Sequence, residues 1–217
     1  MILIAAGTGK ARLIARMGSK MIKSWLETHW VAGALFMSLA FLLLVPVTFA
    51  GEGQALLLIF LASPVYMLHQ LEEHTGDRFR AYINRTVFGG VQALSVSDVL
   101  WINLPGVWGL NFAALYAAHF IDVGWGVAAG YLILINAIAH IGMAVRFRGY
   151  NPGLATGILM FVPFGLATIL LVPATLSQHA FGFVIALAIH AAIAARANHN
   201  ATAARRMEDV RMSAAVA

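Results

Sequence analysis

Long uncharged stretches alternate with short charged ones along this chain. Between Glu27 and Glu52 there is no Asp, Glu, Lys or Arg for 24 residues. A bilayer core takes about 20 residues of helix at about 1.5 Å each, so the run predicts a first crossing over roughly 30–50. Gly53 to Leu71 supplies 19 further uncharged positions and a second crossing. Asp98 to Asp122 and Asp122 to Arg146 bracket a third and a fourth. The 47 uncharged residues between Arg148 and Arg196 exceed one helix and suit two, divided near Pro173 to Gln178. The expected fold is all-α, a polytopic membrane protein with a bundle of six transmembrane helices. Pro64 removes a backbone donor and is expected to kink or loosen the second helix. Residues 74–97, with Asp77, Arg78, Arg80 and Arg85, read as a polar connection.

Ahead of the first crossing the pattern changes. At 100° per residue, Arg12, Arg16, Lys20 and Lys23 share one arc of residues 10–25, and Leu13, Ile14, Met17, Met21, Ile22 and Trp25 fill the other side. Such a basic amphipathic helix suits the interface of an anionic membrane. The chain thus divides into a basic N-terminal stretch over 1–29, the six-helix domain over 30–197, and a polar tail over 198–217. The apolar patch Met1 to Ala6 is too short for a cleaved secretory signal.

Composition agrees with the periodicity. The chain is 61% hydrophobic and 11% charged, with a mean hydropathy of +0.82, whereas soluble domains carry about 25% charged residues. The net charge of +5 does not indicate a nucleic-acid partner, because of where it falls. With the N-terminus inside, all 14 Lys and Arg lie in inside segments and none near Glu52, Asp122 or Gln178. Cytoplasmic flanks carry that excess, so both termini are expected to be cytoplasmic. Having no cysteine, the chain offers a metal only imidazole and oxygen donors.

This topology sorts the polar residues by depth. His69-Gln70-Leu71-Glu72-Glu73-His74 closes the second span, where the helical repeat is expected to project an imidazole and two carboxylates from one side. His140 and His190 each lie roughly 9 Å inside a terminal arginine at the rise of about 1.5 Å per residue, so His69, His140 and His190 share a cytoplasmic layer. Asn136 stands one turn deeper than His140 on the same face, and Asn111 lies deep in the third span. Asp98 and Asn103 open the third span on the inner side, with Asp98 also suited to a helix cap. His119 and His179 belong to the outer boundary, His29 to a helix entrance, and His199 to the tail. Gly126-x-x-x-Gly130 and Gly153-x-x-x-Gly157 allow close helix contact, either within the bundle or in a homo-oligomer.

His69-x-x-Glu72-Glu73, Asn136-x-x-x-His140 and the Asn151-Pro152-Gly153 turn together resemble the bacterial HXXEE family of integral membrane proteins, over about residues 30–195. The resemblance implies a polytopic helical protein of the bacterial inner membrane and carries its motif onto His69, Glu72, Glu73, Asn136 and His140; it supplies no activity. The chain also partly resembles the CAAX-type intramembrane proteases through its paired glutamates. It departs from them at Asp77, where an arginine is expected, and in the order Asn-x-x-x-His.

Ionisable residues inside a membrane are costly and mark sites or pathways. The expectation is therefore a metal-dependent membrane enzyme. His69, His140 and one of Glu72 and Glu73 are the expected ligands, with His190 as a further candidate. One or two divalent ions, zinc or iron, suit such a donor set. The spare glutamate, Glu72 or Glu73, is the expected general base, and Asn111 and Asn136 are the candidate cofactor-binding residues. The expected substrate is lipid-soluble or membrane-anchored, and hydrolysis ranks ahead of oxidation. An ion- or proton-coupled transporter is the alternative, and a polar cluster that only fixes helix packing is a third reading.

Overall fold

The computed structural model describes the backbone of Leu3–Val216 and the side chains of 17–215 other than Ser19 and Lys23. Six helices among the described residues are long and apolar enough to cross a membrane: Ser24–Thr48, Gln54–Val87, Val96–Phe120, Val123–Phe147, Leu154–Leu171 and Leu176–Ala215. In chain order they are the first to sixth spans. No strand occurs among the described residues. The fold is the expected six-helix membrane bundle, and the break between the fifth and sixth spans falls at Val172–Thr175.

Two boundaries differ from those the sequence predicts. The expected interfacial helix is helical, but it runs unbroken into the first span as one helix, Leu3–Thr48. Nothing between Lys10 and Trp30 breaks a helix, so there is no bend to lay the segment flat. The basic face expected on it falls largely on side chains outside the described residues, those of Arg12, Arg16 and Lys23. The tail likewise continues the sixth span in one helix to Val216. Ala197 and Ala201 are buried there against Ile83, Ala93 and Leu94.

The second and fourth spans form the centre. Tyr66, Ala129, Leu132, Ile133, Ala137 and Phe161 are all essentially inaccessible and pack into one core. The glycine spacings serve contacts inside the bundle: a side chain at Gly126 would strike Ile59, and one at Gly130 would meet Thr168 at 2.9 Å. The first span lies at the edge, tied to the second by the Ser38 hydroxyl donating to the Pro64 carbonyl at 3.0 Å. Leu43, Val47, Val145, Leu159 and Leu170 are exposed, as a lipid-facing surface requires, because hydrocarbon satisfies no polar group.

The second helix proper ends at His74. Thr75 Oγ1 donates to the Leu71 carbonyl at 2.5 Å and Arg78 Nη2 to the Glu72 carbonyl at 2.8 Å, which satisfies groups a helix end leaves open. Gly76 and Asp77 then take positive φ (66° and 60°) and turn the chain. The segment beyond this turn is more than the polar connection its charges predict. Arg78–Tyr82 is helical, Ile83–Val87 forms a wide turn, and Phe79, Ile83, Val87 and Phe88 face inward over a cavity. Wide turns recur at Ile102–Trp108, around Pro105, and at Gly157–Phe161, just before Pro163. Such bulges absorb a proline and often flank functional sites.

Candidate metal centre

The helical repeat separates the two glutamates of the motif. At 100° per residue, Glu72 and Glu73 fall on opposite sides of His69 on the helical wheel. Glu73 turns into the bundle and is buried. Its Oε2 lies 3.5 Å from His69 Nε2, and its Oε1 lies 3.5 Å from His140 Nε2. Glu72 turns toward the fifth span. Its carboxylate accepts from the Tyr150 hydroxyl (2.6 Å), the Ala155 and Thr156 amides (3.1 and 2.7 Å) and the Thr156 hydroxyl (2.5 Å). Glu72 thus caps a neighbouring helix N-terminus, where amides are unpaired and negative charge is favoured. Burial and the Glu72 carboxylate push the Tyr150 hydroxyl up to about 12, so it remains a donor at neutral pH.

His69, Glu73 and His140 each offer a ligand atom within 4.8 Å of the others, and all three are buried. Two donors held about 2.1 Å from a tetrahedral ion stand about 3.4 Å apart, close to the 3.5 Å between each imidazole and its own Glu73 oxygen. His69 Nε2 is buried and makes no hydrogen bond.

The surrounding bonds decide which ring nitrogens carry protons. Thr156 gives its hydroxyl hydrogen to Glu72, so at 2.7 Å it accepts from His69 Nδ1–H. Asn151 Nδ2 donates to the His140 carbonyl, which orients the amide; its Oδ1 then accepts from His140 Nδ1–H at 2.7 Å. With the rings neutral, both imidazoles therefore aim an Nε2 lone pair at Glu73. Hydrogen bonds of this kind fix the tautomer of metal-binding histidines. Gly153, at φ 98°, closes the site: a Cβ there would come within 2.9 Å of His69 Cε1 and 2.9 Å of His140 Nε2.

A second chain of bonds reaches the cluster from the third span. Trp108 Nε1 donates to Gln70 Oε1 (2.9 Å), Gln70 Nε2 to Asn103 Oδ1 (2.8 Å), and Asn103 Nδ2 to His74 Nε2 (3.2 Å). Tryptophan only donates, so it sets the direction of every link. His74 Nε2 is also 3.0 Å from Glu73 Oε2. The Nε2 atoms of three imidazoles consequently surround one carboxylate, and that of His74 already accepts from Asn103.

The remaining sequence candidates divide. His190 and Asn136 line the cavity beside Glu73 and His140. His190 stays outside the three-residue cluster, with Nδ1 donating to the Ala186 carbonyl at 2.8 Å. Asn111 is fully buried in the third span, with no partner for either amide atom, and does not line this cavity. Asp98 is not the N-cap its sequence position suggests: Ser95 caps the helix, and Asp98, inside its first turn, completes the capping box and binds Arg196. His29 stacks on Trp25, and His179 pairs with the Tyr131 hydroxyl.

Gln70, His74, Thr156, Tyr150 and Asn151 enter the site although spacing on one helix does not select them. In the sequence Asn151 is visible only as part of a turn, and His74 as the last residue of the motif. No curated protein and no solved structure matches the chain. A family model does match it, over residues 60–168, half of its length, and that stretch contains His69, Glu73, His140 and the residues that orient them. The chain belongs to the HXXEE family, described as proteins of unknown function with an HXXEE motif.

Proposed function

We propose that the protein is a metal-dependent membrane enzyme whose ion is held by His69, Glu73 and His140. One observation carries this reading: the Nε2 atoms of His69 and His140, whose Nδ1–H groups are held by Thr156 and Asn151, converge on a buried carboxylate and present lone pairs to it when the rings are neutral. Acceptors facing acceptors in a low-dielectric interior repel one another, and a cation at their centre turns the repulsion into coordination. Two imidazoles and a carboxylate with an open position suit zinc first and non-haem iron second. Zinc supplies Lewis-acid polarisation and lowers the pKa of a coordinated water to about 7.

The chain's own residues supply the rest. Thr156 and Asn151 hold the two rings, Gly153 excludes bulk from one side, and the Trp108–Gln70–Asn103 chain orients His74 toward Glu73. The hydrogen bonds that occupy Glu72 favour Glu73 over Glu72 as ligand and leave Glu72 to position Thr156 rather than to act as general base. A hydrolytic reaction on a lipid-soluble or membrane-anchored substrate is the preferred chemistry, because the cluster lies within membrane-spanning helices. The distribution of arginines supports placing it near the cytoplasmic face of a bacterial inner membrane, with both termini inside. Metal analysis of the purified protein tests the reading. About one zinc or iron per chain, lost in His69→Ala and His140→Ala, is expected; unchanged metal in those folded variants ends it.

A further inference from the structure

A cavity of about 420 Å³ adjoins the centre, within the few hundred Å³ usual for small-ligand sites. Glu73, His74, Asn103, Asn136, His140 and His190 give it one polar level. The rest of its wall is almost wholly apolar, and toward the arginine-bearing end it is roofed by Phe79, Ile83, Val87 and Phe88. Asn136 Oδ1 is buried there without a hydrogen-bond partner. An acceptor left so beside His140 costs about 1–3 kcal/mol unless something donates to it.

The packing of the fourth and sixth spans changes along their length. At the far end of the bundle the fourth and sixth spans touch, and a Cβ on Gly182 would lie 3.0 Å from Ala128 Cα. Toward the arginine-bearing end the same two spans line the cavity through Ala139, Ala194 and Asn198, all of them exposed. Ala139 and Ala194 add little bulk at that level, and Phe79, Ile83, Val87 and Phe88 cover the cavity with apolar side chains.

We infer that this cavity binds one hydrocarbon chain of a single-chain amphiphile, an acyl or isoprenyl chain carrying one polar function. It enters from the bilayer between the fourth and sixth spans. The chain lies beneath the roof, and its polar function meets Asn136 and the Glu73–His140 level. The space holds one such chain, so a two-chain lipid is excluded from full entry. The inference rests on the proposed enzymatic reading only in naming the substrate class, since the cavity exists whether or not a metal is bound.

Photo-crosslinking tests it. The protein in nanodiscs is irradiated with hexadecanol carrying a mid-chain diazirine, whose hydroxyl can donate to Asn136, and the adducts are mapped by peptide mass spectrometry. Adducts are expected on the peptides around Phe79–Phe88, Ala139–Met143 and Ile189–Ala197, and excess unlabelled hexadecanol should compete them away. Ala139→Trp and Ala194→Trp, which fill the entrance, should reduce these adducts about tenfold; Ala180→Trp, on the outer lipid-facing surface, should not. Adducts spread over lipid-facing peptides and indifferent to Ala139→Trp and Ala194→Trp would overturn the inference. Persistence of the cavity adducts after chelation would uphold it even if the metal reading failed. Stoichiometric metal without cavity adducts would overturn it alone.

Discussion

Glu72 and Glu73 are adjacent in the chain and serve different helices. The Glu73 carboxylate lies between His69 and His140, each at 3.5 Å, while the Glu72 carboxylate receives the Thr156 amide at 2.7 Å. On the proposed reading the motif combines a ligand position with a latch position. Glu73→Gln should weaken zinc binding by more than the roughly 10- to 100-fold typical of losing a group that merely orients a ligand. Glu72→Gln should keep most of the bound metal and instead lower the melting temperature. Calorimetric zinc titration and a thermal melt of each variant check both arms, and equal metal loss in the two would refute the division.

Gly153 cannot become alanine without disturbing both rings. Its φ of 98° is one that side chains rarely adopt, and the added carbon would push on His69 and His140 together. Gly153→Ala should cost about 1–3 kcal/mol through the backbone alone and should lower zinc affinity as well. Gly149→Ala, in the same loop with only the Phe147 carbonyl within 3.9 Å of the new carbon, is the control and should change neither stability nor affinity.

Span number and the gathering of His69 and His140 at one level are legible in the sequence, because hydrophobic run length and helical rise determine both. The Glu72 latch is less so: the three- and four-residue spacings place both glutamates near the His69 face, but only the neighbouring helices show which way each turns. The roof is obscured by its charges. Phe79, Ile83 and Val87 recur every four residues, a helical stripe that Arg78, Arg80 and Arg85 hide from a reading by charge alone. The tautomers of His69 and His140 depend on Thr156 and Asn151, distant in sequence, and no local pattern carries that information.

The bonds from Trp108 through Gln70 to Asn103 act as a unit. Gln70→Ala strands the Trp108 N–H and one side of Asn103, and each buried unsatisfied group costs about 1–3 kcal/mol. Trp108→Phe removes the donor at the other end. In a double-mutant cycle the two losses should be less than additive, since both break the same link. Strict additivity in chemical denaturation would show that the chain is not coupled.

The absence of native cysteine gives labelling of introduced cysteines a clean background. Under the proposed orientation, Ser177→Cys in intact cells should react with a membrane-impermeant maleimide, whereas Arg206→Cys should react only after permeabilisation. The reverse pattern would place the centre beneath the outer leaflet surface and would move the amphiphile's entrance with it.

Removing the metal should cost stability as well as occupancy. A ligand that binds only the folded state stabilises it by about 2.7 kcal/mol when free ligand is 100 times its dissociation constant. Protein stripped with a chelator should therefore melt several degrees lower, and added zinc should restore the loss in proportion to the logarithm of its concentration. His69→Ala should melt at the same temperature with and without zinc, because the site has lost an imidazole whose Nε2 is already free of hydrogen bonds. A shift on zinc addition that survives in both His69→Ala and His140→Ala would place the stabilising ion elsewhere on the protein, and the buried cluster would then be a packing feature of the second and fourth spans.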